Sequence, residues 1–218
     1  MNDKLGIFYS NNNNPSTYPA IQASLHSIRS ASYGVADIVT CVWNPIKGNP
    51  FKELIAWTKT TSHLNQTLQI LQCLYTARED RLYQYVSFLE HDVLYPIGYF
   101  DFPKFKRGEV LVNMNYGGMI PSGFQKRKQD DQPFHQMTMR FDEAISHCED
   151  ILVNAIVTNS GIIEPKNHKR IVWESVKESI HINHGSHFTS HFSIYDDINN
   201  VKSVHPYWGN ISKYHHLF

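Results

Sequence analysis

Up to residue 92 the chain alternates between strand-like and helix-like apolar patterns, and few folds accept that alternation. "KLGIFYS" is a short apolar run closed by the polar tract Ser10 to Asn14. Pro15 and Pro19 then lead into Ile21, Leu25 and Ile28 at helical spacing. "ADIVTCVW" repeats the strand signal, followed by a loop from Asn44 to Pro50 punctuated by Pro and Gly. Leu64, Leu68, Leu71 and Tyr75 predict one face of a second helix, before "YQYVSFLEHD" returns to a strand. This succession is the signature of an α/β fold whose mostly parallel sheet is covered on both faces. A chain of 218 residues, 41% hydrophobic, has core enough to build it as one domain spanning residues 1–218.

Beyond residue 92 the rhythm changes. "GEVLVNMNY" and "PFHQMTM" read as strands, and "GFQKRKQDDQP" between them as a mobile surface loop. Phe141, Ile145, Cys148, Leu152 and Ala155 line one side of a helix whose first turn carries Asp142 and Glu143, as the helix dipole favours. The tail from Ile180 is rich in His and aromatics, with His184, His187 and His191 close together. Cys41, Cys73 and Cys148 are dispersed and odd in number, which argues against a disulfide framework or a zinc ribbon and favours a reducing cytoplasm, the host's if the chain is viral. Twenty basic and twenty acidic residues balance, so no global charge points to nucleic acid or a membrane surface. The opening "MNDKLGIFYSNNNN" lacks the basic start and long apolar stretch of a signal peptide, and no run is long enough to span a bilayer, so neither export by that route nor membrane insertion is expected.

"YVSFLEHDVLYP" places Glu90, His91 and Asp92 at the end of a buried strand. Ligands of α/β sheets bind at the carboxyl ends of strands, and the i, i+2 spacing sends both carboxylates to one side. The plainer reading is a solvated loop with an N-cap Asp. A divalent cation would neutralise the cluster, and one held by only one or two carboxylates keeps positions open for substrate phosphates. An imidazole ligand would favour manganese over magnesium, and His184, at the end of the strand-like "IHIN", is the candidate; a hydrogen-bonded structural His is the alternative. "YSNNNN" after the first strand offers amides and turns, whereas neither GxGxxG nor a P-loop lysine occurs anywhere.

"FLEHDVLYP", followed far downstream by "IHINHGSHFT", resembles compact GT-A-type glycosyltransferases that carry an EHDVLYHP-like motif in place of DxD and later a histidine of the form RHxxNLT. Ile97 stands where a histidine usually follows the proline, and Asn183, His187 and Phe188 replace the Arg, Asn and Leu of the second motif; these departures bear on the acceptor more than on the donor. The resemblance implies a GT-A-like, Rossmann-like sandwich in which residues 1–92 bind a nucleotide sugar, a UDP-sugar or similar, and residues 93–218 form the acceptor half and a His-rich tail. It implies that Asp92 and Glu90 serve the metal and the chemistry, with His184 as the late ligand to manganese or magnesium. Tyr9, Ser10, Asn11 and His91 are then expected around the donor.

An inverting enzyme needs a general base, for which Asp142, Glu143 and Glu164 are candidates. Asp142 and Glu143 are also explained as helix N-terminal charges. Tyr207 and Trp208 could stack a sugar or a base, or simply anchor the tail. Lys104, Lys106 and Arg107, Lys126 to Lys128, and Lys166, Lys169 and Arg170 could form a basic face for double-stranded DNA, or could be solvated loops. The leading expectation is therefore a metal-dependent glycosyltransferase acting on a hydroxymethylated base of DNA, as phage enzymes do, with a saccharide or small molecule as the alternative acceptor. A non-catalytic nucleotide- or metal-binding module is a further alternative. A hydrolase with zinc in the His-rich tail ranks last, because HExxH is absent.

Overall fold

The computed structural model describes residues 2–60, 62–126, 134–158, 167–183 and 201–218. In chain order the elements are β1 (Lys4–Ser10), α1 (Tyr18–Ser32), β2 (Asp37–Val42), β3 (Lys52–Ile55), α2 (His63–Asp80), β4 (Tyr85–Glu90), β5 (Val93–Leu94), β6 (Glu109–Asn113), β7 (Tyr116–Ile120) and β8 (Gly123–Lys126). They continue as β9 (Met137–Arg140), α3 (Phe141–Thr158), β10 (Lys169–Trp173), β11 (Ser179–Ile182), β12 (Val204–His205) and β13 (Gly209–Asn210). Seven strands form the central sheet in the order β10-β6-β9-β4-β1-β2-β3, all parallel except β9. This is the expected α/β fold with a mostly parallel sheet.

Alternate residues divide each central strand between two cores. Leu5, Ile7, Val86, Phe88, Val110 and Val112 pack under α2 and α3. Phe8, Ile38, Leu89 and Leu111 face α1 and the aromatic stretch that holds Tyr95, Tyr99 and Phe100. Each such side chain, fully buried, stabilises the fold by roughly 1.5–3 kcal/mol. Gly6 lets Phe100 lie against β1: a Cβ there would come within 2.8 Å of the Leu89 side chain and 3.3 Å of the Phe100 ring.

The inward face of α2 keeps Leu71 and Tyr75 of the expected stripe against the core but departs from it elsewhere. Leu64 is exposed, whereas Gln69 and Gln72 are buried. The Gln69 amide donates to the carbonyls of Ser10 and Cys41, both at 3.0 Å, and that of Gln72 donates to the Ile55 carbonyl at 2.8 Å. Strand ends leave carbonyls without ladder partners, and a helix lying across them is stabilised more by amides than by leucines. The three cysteines are buried and free, and burial pushes the Cys148 thiol up to about 12.

"GEVLVNMNY" is not one strand. It divides between β6 and β7 of different sheets, and Asn113 Oδ1 holds the break by accepting from the amides of Asn115 and Ser175. "GFQK", expected within a loop, is β8. β5, β11, β7 and β8 form a second, four-stranded sheet in that order. One of its faces carries Leu94, Met119, Phe124, Ile180 and Ile182, which form an apolar cluster with Ile211 and Leu217 of the tail. Register and pleat put Tyr116, Gly118, Gln125, Ser179 and His181 on the other face. Tyr207 and Trp208 anchor the tail: the Trp208 indole donates to the Glu178 carbonyl at 2.8 Å, and the Tyr207 hydroxyl accepts from the Ile97 amide at 3.2 Å.

Candidate active site

From β1 the chain moves outward through β2 to β3, and then returns to lay β4 on the other side of β1. The crevice outside the carboxyl ends of β1 and β4 is therefore the topological switch point, where open α/β sheets take ligands. Tyr9 and Glu90 are register partners there, and the Tyr9 hydroxyl donates to Glu90 Oε1 at 2.9 Å. His135 Nδ1 lies 2.9 Å from Glu90 Oε2. His135 arrives because β9 is reversed: its beginning, not its end, sits at the carboxyl edge, and the 3-10 turn Phe134–Gln136 that opens it places the ring beside β4.

Asp92 follows in the turn into the second sheet. Its carbonyl accepts from the Ile182 amide at 2.6 Å, and its Oδ2 lies 3.2 Å from His181 Nε2. The rings of His135 and His181 stack with centroids 5.6 Å apart, and Tyr116 meets His135 edge-on at 5.8 Å. Two carboxylate–imidazole pairs thus stand side by side, one from each sheet. Among the described residues His135 Nε2 is buried without a hydrogen-bond partner.

The motif's own residues hold this geometry. Tyr95 folds back so that its hydroxyl accepts from the Glu90 amide at 2.9 Å, and the hydroxyls of Tyr95 and Tyr99 both reach the His135 carbonyl, at 3.4 and 3.3 Å. On α1, Ser24 donates to the carbonyl of Val93 at 2.8 Å, and Ser27 accepts from the Tyr95 amide at 3.0 Å. At the end of β1, Asn12 Oδ1 accepts from the amides of Trp43 and Asn44, tying the β1 and β2 loops together. Burial works against charge on Glu90, but His135, and more distantly His181, outweigh it and hold the carboxyl below its usual range. Burial and the adjacent Glu90 charge push the Tyr9 hydroxyl well up, so it stays a donor.

Of the residues expected from sequence, Glu90 and Asp92 stand together at the carboxyl edge; Tyr9, Ser10 and Asn11 end β1 beside them, and His91 is half-buried in the intervening turn. The structure gives three of these groups surroundings that the sequence did not suggest. Glu90 Oε1 accepts from Tyr9 and Oε2 lies beside His135, so both oxygens have a protein partner. Asp142 lies at the opposite, amino edge, ion-paired with Arg107, and Glu143 accepts from the Gly108 amide there at 2.7 Å. The reason is again the reversed β9: α3 starts where β9 ends. Lys104, Lys106, Arg107, Lys169 and Arg170 cluster around the starts of β6 and β10, at that same amino edge. Glu164, His184, His187, His191, Arg127, Lys128 and Lys166 lie outside the described residues.

His135 and His181 were not singled out from sequence. His181 was legible, because Ile180 and Ile182 face the apolar cluster and an alternating strand must turn the residue between them the other way. Among the described residues no three His, Cys, Asp or Glu side chains converge as a metal cage, and no helix is long and apolar enough to cross a membrane.

No protein-family model and no curated protein matches the chain. Solved structures that are similar at low identity include three glycosyltransferase-like proteins. A protein assigned as a nucleotide-diphospho-sugar transferase, from Desulfovibrio desulfuricans G20, aligns at TM-score 0.44 and 11% identity over 82% of this chain and 84% of its own. A glycosyltransferase involved in glycosylation of the major capsid of PBCV-1 aligns at TM-score 0.48 and 10% identity over 82% and 91%. The apo-form glycosyltransferase GlyE of Streptococcus pneumoniae TIGR4 aligns at 0.44 and 9% over 78% of this chain and 45% of its own. At this level the likeness concerns the path of the chain and transfers no residue roles.

Proposed function

We propose that this chain is a glycosyltransferase that takes its nucleotide-sugar donor in the crevice between β1 and β4. The observation that carries the reading is the double carboxylate–imidazole pair at that switch point, on a motif, "EHDVLYP", that resembles the donor motif of GT-A enzymes. The half before residue 93 holds the donor, and the second sheet faces the reacting carbon.

The donor set fits a hard cation bound lightly. Asp92 supplies a carboxylate, and because no three-ligand protein cage forms among the described residues, phosphate oxygens and water would complete the shell, as magnesium and manganese allow. When bound, such a cation stabilises negative charge on the departing diphosphate. His181 orients the Asp92 carboxylate, as outer partners of metal ligands do.

His135 takes the acceptor proton. Its Nδ1–H is directed at Glu90, which selects the tautomer with a bare Nε2, and among the described residues that nitrogen is buried without a partner. As the acceptor hydroxyl attacks the anomeric carbon, the bond from that carbon to the phosphate oxygen breaks, the nucleoside diphosphate leaves, and the proton passes to Nε2. A base so placed gives inversion. For the acceptor, five of the basic residues that suggested DNA, Lys104, Lys106, Arg107, Lys169 and Arg170, stand at the far edge of the sheet, which favours a saccharide or another small hydroxyl compound.

The test is mass spectrometry of reactions that offer a panel of nucleotide sugars with simple glycosides, plain DNA and hydroxymethylated DNA. Transfer to a glycoside is expected, with loss of activity in a chelator. Transfer to long duplex DNA only, falling steeply with salt, would restore the DNA reading. No turnover and no binding of any nucleotide sugar would end the proposal.

A further inference from the structure

Above Asp92, the polar face of the second sheet carries groups that the proposed chemistry does not use. Gln125 is 4% exposed, yet among the described residues neither its amide oxygen nor its amide nitrogen has a hydrogen-bond partner. Ser179, fully buried on the same face, has an equally unpartnered hydroxyl. Gln125 pairs with Gly118, which pairs in turn with His181, so the three lie in one row across the sheet. Register partners point to the same side, and the His181 ring marks that side as the one toward Asp92. Gly118 has no side chain, so His181 and Gln125 stand about 10 Å apart, two strand spacings, across a buried stretch of backbone that carries no side chain between them.

Leaving an amide and a hydroxyl buried and unpaired is costly, and such groups persist where a ligand completes them. Their chemistry is selective. A carboxamide offers one donor and one acceptor side by side, and a serine hydroxyl offers both. Neighbouring sugar hydroxyls, each able to donate and accept, match that set. A phosphate would call for cations, and the strand residues of this face include no Lys or Arg.

We infer that Gln125, with Ser179, is a sugar-reading pair that binds adjacent hydroxyls of a neutral hexose over Gly118. The inference rests on the transferase reading of the neighbouring site for its role but not for its test. The hexose is either the one carried by the donor or that of a saccharide acceptor.

The experiment uses the full chain and its Gln125→Met and Ser179→Ala variants. Thermal unfolding is measured for each, with saturation-transfer NMR against methyl glycosides of glucose, galactose and mannose. Methionine is close to isosteric and apolar, so removing an unpartnered amide should raise Tm by roughly 2–4 °C while glycoside affinity falls about tenfold or more. Ser179→Ala should weaken glycoside binding without lowering Tm. A Gln125→Met variant that melts lower or fails to fold marks Gln125 as structural and overturns the inference. So does the absence of saturation transfer in the wild-type chain, or transfer unchanged in both variants. UDP, GDP and ADP and their glucose conjugates, titrated separately, distinguish the sources. A conjugate that binds and displaces the glycoside assigns the face to the donor sugar, and one that binds beside it assigns the face to the acceptor. If no nucleotide binds but glycosides do, the transferase reading fails and the sugar face stands.

Discussion

The two edges of the central sheet carry acid–base pairs of different kinds. At the carboxyl edge Glu90 meets His135 and Asp92 meets His181, with side chains 9–27% exposed. At the amino edge Asp142 meets Arg107 and Asp80 meets Lys52, with side chains 44–69% exposed, and Asp37 meets Arg81 at 24–37%. The pairs of Asp142 and Asp80 stand in water, where such pairs contribute little. The carboxyl-edge partners are imidazoles, each with one ring nitrogen turned to a carboxylate, and they are shielded from solvent. Carboxylates therefore meet Lys and Arg at one edge and shielded imidazoles at the other, and the proposed chemistry rests on the second setting.

The largest effect expected from this contrast is on catalysis. His135→Gln should lower kcat by about 10²–10⁴, the usual worth of a general base, while donor affinity changes little; a kcat within threefold of wild type would remove His135 from the chemistry. Next, Asp92→Asn should weaken binding of the nucleoside diphosphate in manganese by about tenfold or more and leave binding in a chelator unchanged, as titration calorimetry would show. Equal loss under both conditions would point to a distorted turn instead of a lost ligand.

The third effect is on acid stability. The carboxyl of Glu90 is held below its usual range in the folded chain, so its contribution is complete above the unfolded carboxylate range, near about pH 4.3, and is lost as pH falls through the lower folded value. Tm followed down through this window should fall for the wild-type chain and less steeply for Glu90→Gln. Parallel profiles would show that the His135 pair adds nothing to stability. The smallest effect belongs to the amino edge: Asp142→Asn should cost about 0.5 kcal/mol or less by denaturant unfolding and leave turnover unchanged. The combined replacement of Lys104 and Lys106 by Ala should likewise leave acceptor KM unaltered at low salt, and a rise in KM for DNA would break the contrast between the edges.

Much of the frame was legible because it depends on local pattern. Continuous apolar runs marked β1, β2 and β4, helical spacing marked α1, and the carboxylates after β4 lay where an α/β sheet takes ligands. β3 and β10 escaped notice because edge strands are only partly covered, and "KELI" and "KRIVW" mix charge with apolar residues accordingly. On α2, Leu71 and Tyr75 meet the core as their spacing indicated, whereas Gln69 and Gln72 escaped notice because their partners are strand carbonyls.

By itself the sequence determined the α/β class, the position of Glu90 and Asp92 at a strand end, and, through Ile180 and Ile182, the side to which His181 must turn. Only the tertiary structure decided what those carboxylates face. The direction of β9 sets His135 against Glu90 and carries Asp142 to the far edge, and strand direction depends on pairing between segments some fifty residues apart, which no local periodicity encodes. The row of His181, Gly118 and Gln125 likewise exists only once three strands from distant parts of the chain share a register, because side chains in a sheet become neighbours across the ladder and not along the sequence.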